Sequence, residues 1–387
     1  MSYKKMFPMF KNNKKFVYLD NAALTQKPYS VIEAGNEFYT KYSISTRTSD
    51  SKLGVYVLNK LNQARENIAK FLDAQPDEFI FTSGTTESLN LIAKMLSKWF
   101  DSGEIILTYF NHNSNVLPYI ENFNDSKFKF IFAETEEDII NNINVNTRII
   151  ALPQLSNNIP KKFNLDLIYK KAKSVNAIVI NDAAQAIAHS KVSLSNCDVI
   201  AFSANKIFGP MGVGGLVVKQ ELLTKLHPAK WGGGQVNDVQ MCNWNLKPNI
   251  SRFEPGTPNL PGIFQFNQAI EFIKKIGYKK IVQKEAILSE YLIKRLKEIK
   301  DIQIETYPDS NIVLFNIGIY SPQDIASYLG HKNIYVRSGV FCAHNFRMLN
   351  KFSKSYVRVS LSFYNSKKDI DKLIEALKQG GDFLDFI

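Results

Sequence analysis

From residue 78 to residue 218, six short β-rich runs (EFIF, EIILT, RIIAL, AIVIN, VIAFS and GGLVV) alternate with stretches of helical or loop character. Several of these runs are nearly all apolar. A strand that is apolar on both faces has to be covered on both, so the alternation predicts a mainly parallel α/β layer. Ligands of such sheets sit beyond the carboxyl ends of the strands. The residues just after each run are therefore the first place to look for chemistry.

A chain of 387 residues exceeds what one core accommodates and suits a large domain with a smaller one. Long helices are predicted from Pro261 to about Lys300, where Ile270, Ile273 and Ile276, then Ile287, Leu288, Tyr291, Leu292 and Leu296, have helix-face spacing. A strand IVLFNIGI, a helix from Pro322 to Leu329, strands YVRSG and VRVSL and a closing helix from Lys368 to Lys378 give the second part an α+β pattern. Hydrophobic residues at 45% and charged residues at 22% exclude a disordered or fibrous chain. No apolar run reaches the length of a membrane span, and MSYKKMFPMF lacks the pattern of a secretory leader, so a soluble cytoplasmic protein without a membrane partner is expected. Cys197, Cys242 and Cys342 are widely spaced and form no C-x-x-C, which argues for reduced thiols and against a cysteine metal site; no metal is expected. Cys197 and Cys242 read as structural. The net charge of +12 is carried by lysines scattered through amphipathic segments, predicting a solvated basic surface and no nucleic-acid partner.

The strongest local signal is AIVINDAAQAIAHSKVSLSNCDVIAFSANK, residues 177–206. One apolar strand ends on Asp182 and the next ends just before Lys206, so both side chains leave the sheet at one edge. An aspartate there can pair with a protonated pyridine nitrogen and a lysine amine can condense with an aldehyde, the two requirements of pyridoxal phosphate. On spacing alone a strand-end acid and a surface lysine are the favoured explanation, because Asp and Lys often end strands. In FIFTSGTTESLNL a strand runs into Gly84, Thr85 and Thr86 and then an amphipathic helix, a junction whose free N–H groups suit an anion. Any capped helix shares that pattern. GPMGVGG leads into a strand and so is no dinucleotide fingerprint. His112 follows the EIILT strand, where an imidazole can stack on a planar ring and move a proton, though a lone loop histidine is also an ordinary surface residue.

Together these residues resemble the class V aminotransferase family, in particular the cysteine desulfurases of the SufS type. The resemblance spans nearly the whole chain through ordered landmarks: YLDNAALTQKP at 18–28, SGTTESLN at 83–90, NHNSNVLPY at 111–119, SNN at 156–158, NDAAQA at 181–186, SANKIFGP at 203–210, FEPGTPN at 253–259 and VRSGVFCAH at 336–344. It implies the pyridoxal-phosphate-dependent transferase fold (fold type I), an α/β fold with a mainly parallel seven-stranded sheet. An N-terminal segment 1–22 would pack with a small α+β domain, 263–387, beside a large cofactor-binding domain, 23–262.

Carried over residue by residue, the resemblance implies that Lys206 holds the cofactor, Asp182 pairs with the pyridine nitrogen, and Gln185 and Asn157 approach the ring hydroxyl. His112 would stack on the ring. Thr85, Thr86 and Ser203 would grip the phosphate, and Thr257 would reach the phosphate of the other subunit of a homodimer. Arg358 would clamp the substrate carboxylate, and Asn21 and Ala22 would line the substrate pocket. Cys342 lies where the family forms its persulfide. The implied activity converts L-cysteine to L-alanine and passes sulfur from Cys342 to an acceptor or scaffold protein of iron–sulfur cluster assembly.

The chain departs from the family at several of these places. Asn205, counted among the cofactor contacts, stands where a histidine usually precedes the lysine, and Ala204 stands where glycine is common. Val340 and Phe341 replace two histidines, and Thr46-Arg47 replaces a His-Arg pair. Related pyridoxal-phosphate reactions (selenocysteine lyase, cysteine sulfinate desulfinase, epimerase) share most of the motifs, and a non-catalytic partner-binding homologue would retain some.

Overall fold

In the computed structural model, which describes residues 3–384 apart from Ser49, Asp125, Pro308 and Lys354, all six runs become strands of one sheet. The ends of the expected terminal segments, 1–2 and 385–387, lie outside the described residues. A short strand β1 (Val17–Tyr18) comes first. The sheet comprises β2 (Phe79–Thr82), β3 (Gly103–Thr108), β4 (Phe128–Ala133), β5 (Thr147–Pro153), β6 (Ile178–Asp182), β7 (Val199–Ser203) and β8 (Gly214–Val218). Its seven strands lie in the order β2-β8-β7-β6-β5-β3-β4. Every pairing is parallel except those of β8, which runs antiparallel to both β2 and β7.

The apolar runs are double-sided because successive side chains point to opposite faces. Ile106, Ile150, Val179 and Ile200 enter one core, while Ile105, Leu107, Ile149, Ile180 and Val199 enter the other. The helix Thr85–Ser97 closes the second face with Leu89, Ile92, Ala93 and Leu96. The helix Leu260–Ile276 serves the first with Ile263, Phe266, Ile270 and Ile273, and packs on the helices Tyr29–Lys41 and Lys52–Phe71. Strand β4, FKFIFA, is not among the six runs. It is a half-buried edge strand interrupted by the exposed Lys129, so it lacks the continuous apolarity of its neighbours.

Beyond the sheet, β9 (Val236–Gln240) and β10 (Asn243–Leu246) form an exposed hairpin. The last part of the chain carries β11 (Ile302–Glu305), β12 (Ile312–Ile317), β13 (Ile334–Tyr335), β14 (Arg337–Gly339) and β15 (Tyr356–Ser360). Four of these make an antiparallel sheet in the order β11-β12-β15-β14, and β13 instead pairs in parallel with β1. The expected single strand YVRSG is thus split between two sheets. Val17 and Leu19 join Leu288, Leu292, Phe315, Val357 and Ile370 in a third core. The helix Lys367–Gln379 starts at a capping box in which Ser366 and Asp369 satisfy each other's backbone donors. Among the described residues no helix is long and apolar enough to cross a membrane.

Candidate active site

Strands β6 and β7 run in parallel with Asp182 opposite Ala201, so their carboxyl ends open on the same side. Asp182 is the last residue of β6, and Lys206 closes a single 3-10 turn directly after β7. Between them lies a cavity of about 160 Å³, comparable to the roughly 150 Å³ that accommodates a benzene ring in an engineered core. Thr85, Thr86, His112, Ser114, Pro153, Leu155, Asn157, Asp182, Ala184, Gln185, Ser203, Asn205 and Lys206 line it. Nine residues singled out from the sequence are therefore brought together: Thr85, Thr86, His112, Asn157, Asp182, Gln185, Ser203, Asn205 and Lys206.

One end of the cavity is the N-terminus of the helix Thr85–Ser97. Its first i→i−4 bond runs from Ser88 to the Gly84 carbonyl (3.0 Å), so the N–H groups of Thr86 and Glu87 precede the regular ladder. Gly84 enters at φ 151°, and a Cβ there would stand 2.9 Å from the Ser203 hydroxyl. That hydroxyl accepts from the Thr85 N–H at 2.7 Å and bonds the Thr85 hydroxyl at 2.8 Å, while the Thr86 hydroxyl meets that of Ser114 at 2.9 Å. The hydroxyls of Thr85, Thr86 and Ser203 converge with a helix N-terminus, the chemistry of an anion site.

At the other end the ionisable groups are displaced from their ordinary behaviour. Burial pushes the Asp182 carboxyl upward, opposed by the Ala184 N–H on its Oδ1 (3.0 Å) and by the charge of Lys206. Burial lowers the Lys206 amine to about 8; Asp182 and Asp20 oppose this, and Arg358 and Arg337 add to it. His112 is lowered to about 4, first by burial and then by Lys206, Arg337, Arg358 and His344. Its Nδ1 accepts from the Ser114 N–H at 3.1 Å, which leaves the ring proton of the neutral imidazole on Nε2.

Two more sequence candidates, Arg358 and Cys342, are outside the lining and joined to it through Asn157. Gln185 donates from Nε2 to the Ala22 carbonyl at 2.9 Å. Asn157 donates to the Phe341 carbonyl (2.8 Å), and its own carbonyl accepts from Arg358 Nη1 (2.9 Å). Arg358 is fully buried, with Nη2 on Asp20 at 2.7 Å and its guanidinium carbon 4.7 Å from the centre of the Phe341 ring. Cys342 is half-buried, on a turn where Phe341 and Cys342 both have positive φ (56° and 55°), with Arg337 Nη2 3.9 Å from Sγ.

The other three sequence candidates, Asn21, Ala22 and Thr257, are also absent from the cavity lining. Asn21 uses its side chain within the protein: Nδ2 donates to the Ser360 carbonyl (2.7 Å) and to Asn365 (3.1 Å), and Oδ1 accepts from Tyr364. Ala22 bonds Ser360 and Gln185 through its backbone. Thr257 lines a separate cavity with Glu87, Lys230 and Gly256. Cys197 is buried, whereas Cys242, also read as structural, is exposed in the turn of the β9–β10 hairpin. Among the described residues no cluster of His, Cys, Asp and Glu is placed to hold a metal ion.

The structure adds residues the sequence reading passed over. Ser114 supports both Thr86 and His112, Asp20 holds Arg358, and Arg337 faces the Cys342 thiol. Thr25 and Lys27 both donate to the Asn205 carbonyl (3.0 and 3.2 Å), fixing the peptide that leads into Lys206. All five lie inside or beside the quoted motifs; their side-chain partners had no local signature.

Comparison with known proteins agrees with this geometry. The family model for class-V aminotransferases matches residues 17–373. A probable cysteine desulfurase of Ureaplasma parvum is 38% identical, covering 100% of this chain and 99% of its own. A cysteine desulfurase structure from Thermococcus onnurineus superposes with a TM-score of 0.92 at 29% identity, covering 97% of this chain and 96% of the other. The cysteine desulfurase CsdA of Escherichia coli, in an S-sulfonic acid form, gives 0.90 at 26% identity and 97% of both chains.

Proposed function

The chain belongs to the class-V aminotransferase family and is a pyridoxal-phosphate-dependent enzyme, and from that premise we propose that it is a cysteine desulfurase converting L-cysteine to L-alanine. The cavity residues fit the cofactor. A helix N-terminus with three hydroxyls suits a phosphate, a buried carboxylate suits a pyridinium, and a lysine amine lowered to about 8 is partly free to condense with an aldehyde. When bound, pyridoxal phosphate supplies that aldehyde and an electron sink for charge developing at the substrate Cα.

In this reading Lys206 holds the cofactor and then serves as the base for the Cα proton. Asp182 holds the ring-nitrogen proton in a site where little else compensates it. His112, neutral and carrying its proton on Nε2, stacks on the ring and exchanges a proton with the substrate. Thr85, Thr86 and Ser203 hold the phosphate, with Asn205 beside them, and Gln185 and Asn157 approach the ring hydroxyl. Arg358 binds the substrate carboxylate; Asn21 and Ala22 shape the approach to it.

Cys342 attacks the substrate sulfur as thiolate. An S–S bond forms, the C–S bond breaks with its electron pair left on Cβ, and protonation of Cβ together with return of the Cα proton from Lys206 gives alanine. The sulfur stays on Cys342 as a persulfide for transfer to an acceptor protein of iron–sulfur cluster assembly, the sulfurtransferase step. The observation that carries this reading is the bond from the Asn113 N–H to the Cys342 carbonyl (2.7 Å), which ties the thiol-bearing turn to the loop of His112.

A homodimer is part of the proposal, supported by Thr257 lying outside the cavity of its own chain, where it is free to serve a second one. The division into 1–22, 23–262 and 263–387 is supported by the pairing of β1 with β13 and by the third core. A cytoplasmic location is supported by three cysteines without a disulfide. The cofactor arm is tested by absorbance: the purified protein is expected to be yellow and Lys206→Ala to be bleached, and a Lys206→Ala protein that keeps the native spectrum contradicts it.

A further inference from the structure

Resting on the reading of Arg358 as the carboxylate clamp, we propose that Asp20 is that clamp's resident carboxylate. In the free enzyme it occupies the donor that the substrate carboxylate takes, so substrate enters by exchange of one carboxylate for another.

A buried cation needs a partner, because an uncompensated charge in the interior is expensive. Arg358 has a side-chain exposure of 1%, and its Nη2 is paired with Asp20 Oδ1 at 2.7 Å. Nη1 is taken by the Asn157 carbonyl, Phe341 covers one face, and Nε has no hydrogen-bond partner among the described residues. Of these neighbours only Asp20 offers a formal negative charge, so it is the one a substrate carboxylate replaces like for like.

Asp20 is also the member of the pair that can leave. Its side chain is 19% exposed, against 1% for Arg358. Its backbone is held independently: the Asp20 carbonyl accepts from the N–H groups of Ala23 and Leu24 and from the Tyr18 hydroxyl, and the residue bridges to Ser360. The carboxylate can therefore swing while the chain stays put. Lys206 lies within electrostatic range of both Asp20 and Arg358, so a displaced Asp20 keeps a cation nearby.

Exchange has a selective consequence. The clamp is occupied before substrate arrives, so a lone small anion gains little by entering, whereas an amino acid adds its contacts at the cofactor to offset the loss of Asp20. Asp20→Asn keeps the shape and one acceptor for Nη2 while removing the charge, and Asn157 and Phe341 still hold the guanidinium.

The experiment uses the cofactor-loaded enzyme with acetate as probe. In Asp20→Asn, KM for L-cysteine is expected to fall about tenfold, and acetate to become a competitive inhibitor that raises the melting temperature, neither of which it does to the parent. Asp20→Glu, which keeps a carboxylate at the clamp, should remain insensitive to acetate. A KM that rises or stays put in Asp20→Asn, or an equal acetate response in both proteins, overturns the exchange. Arg358→Met separates the two claims: alone it should raise KM, and combined with Asp20→Asn it should abolish the acetate response that Asp20→Asn creates; if KM does not move, the clamp reading itself fails. As a readout needing no variant, a crystal of the parent soaked with L-alanine should show the Asp20–Arg358 contact replaced. Its persistence beside a bound carboxylate contradicts the exchange.

Discussion

The Asn113 N–H donates to the Cys342 carbonyl at 2.7 Å, joining two loops that lie more than two hundred residues apart in the chain. One follows β3 and carries His112; the other follows β14 and carries the thiol. Because the bond is made by backbone atoms, the Cys342 side chain can change without breaking it. Cys342→Ser is therefore expected to keep the parent's melting temperature and cofactor spectrum while alanine formation from cysteine falls by roughly a hundredfold or more. A full rate with serine at 342 would remove the persulfide step.

Gly84 enters the helix Thr85–Ser97 at φ 151°, and an added Cβ would crowd the Ser203 hydroxyl at 2.9 Å. Gly84→Ala should lose about 1–3 kcal/mol of stability through backbone strain. It should also retain the cofactor less well, because the displaced hydroxyl is part of the anion site. Thermal unfolding and equilibrium dialysis of the cofactor check the two effects separately.

The Lys206 amine, lowered to about 8, is protonated and unreactive toward an aldehyde below that value and free above it. The rate at which cofactor-free protein takes up pyridoxal phosphate should accordingly rise about tenfold from about pH 7 to about pH 9. An amine titrating at its ordinary value would still be gaining reactivity steeply beyond that range. Stopped-flow absorbance distinguishes the two profiles.

Asp182 is a carboxylate whose charge is penalised by burial and needed by the cofactor. Asp182→Asn relieves the penalty while losing the pairing. Stability is expected to stay within about 1 kcal/mol of the parent, and kcat to fall roughly 10- to 100-fold, the loss of one hydrogen bond to a charged group. Melting curves and steady-state kinetics check the two expectations separately.

What could be read in the chain depended on whether a feature was local. β3, β5, β6, β7 and β8 stand out because both of their faces are buried, which leaves a continuous apolar run. β4 and β11 are half-buried edge strands and leave no such run. Asp182, Lys206, the Gly84–Thr86 junction and His112 were legible because each sits at or shortly beyond the end of a strand, where a parallel sheet puts its ligands. The Asp20–Arg358 pair was not, since its members are 338 residues apart and only the tertiary fold makes them neighbours. Asn21 shows the reverse case: the motif placed it near the substrate, but its amide is taken up by Ser360, Asn365 and Tyr364.

The most direct test is a single turnover of the cofactor-loaded protein with L-cysteine and no acceptor, with alanine and the mass of the Cys342 peptide measured together. One alanine per active site, matched by one added sulfur on Cys342, is the predicted result. Alanine without the added sulfur, or added sulfur without alanine, would contradict the assignment.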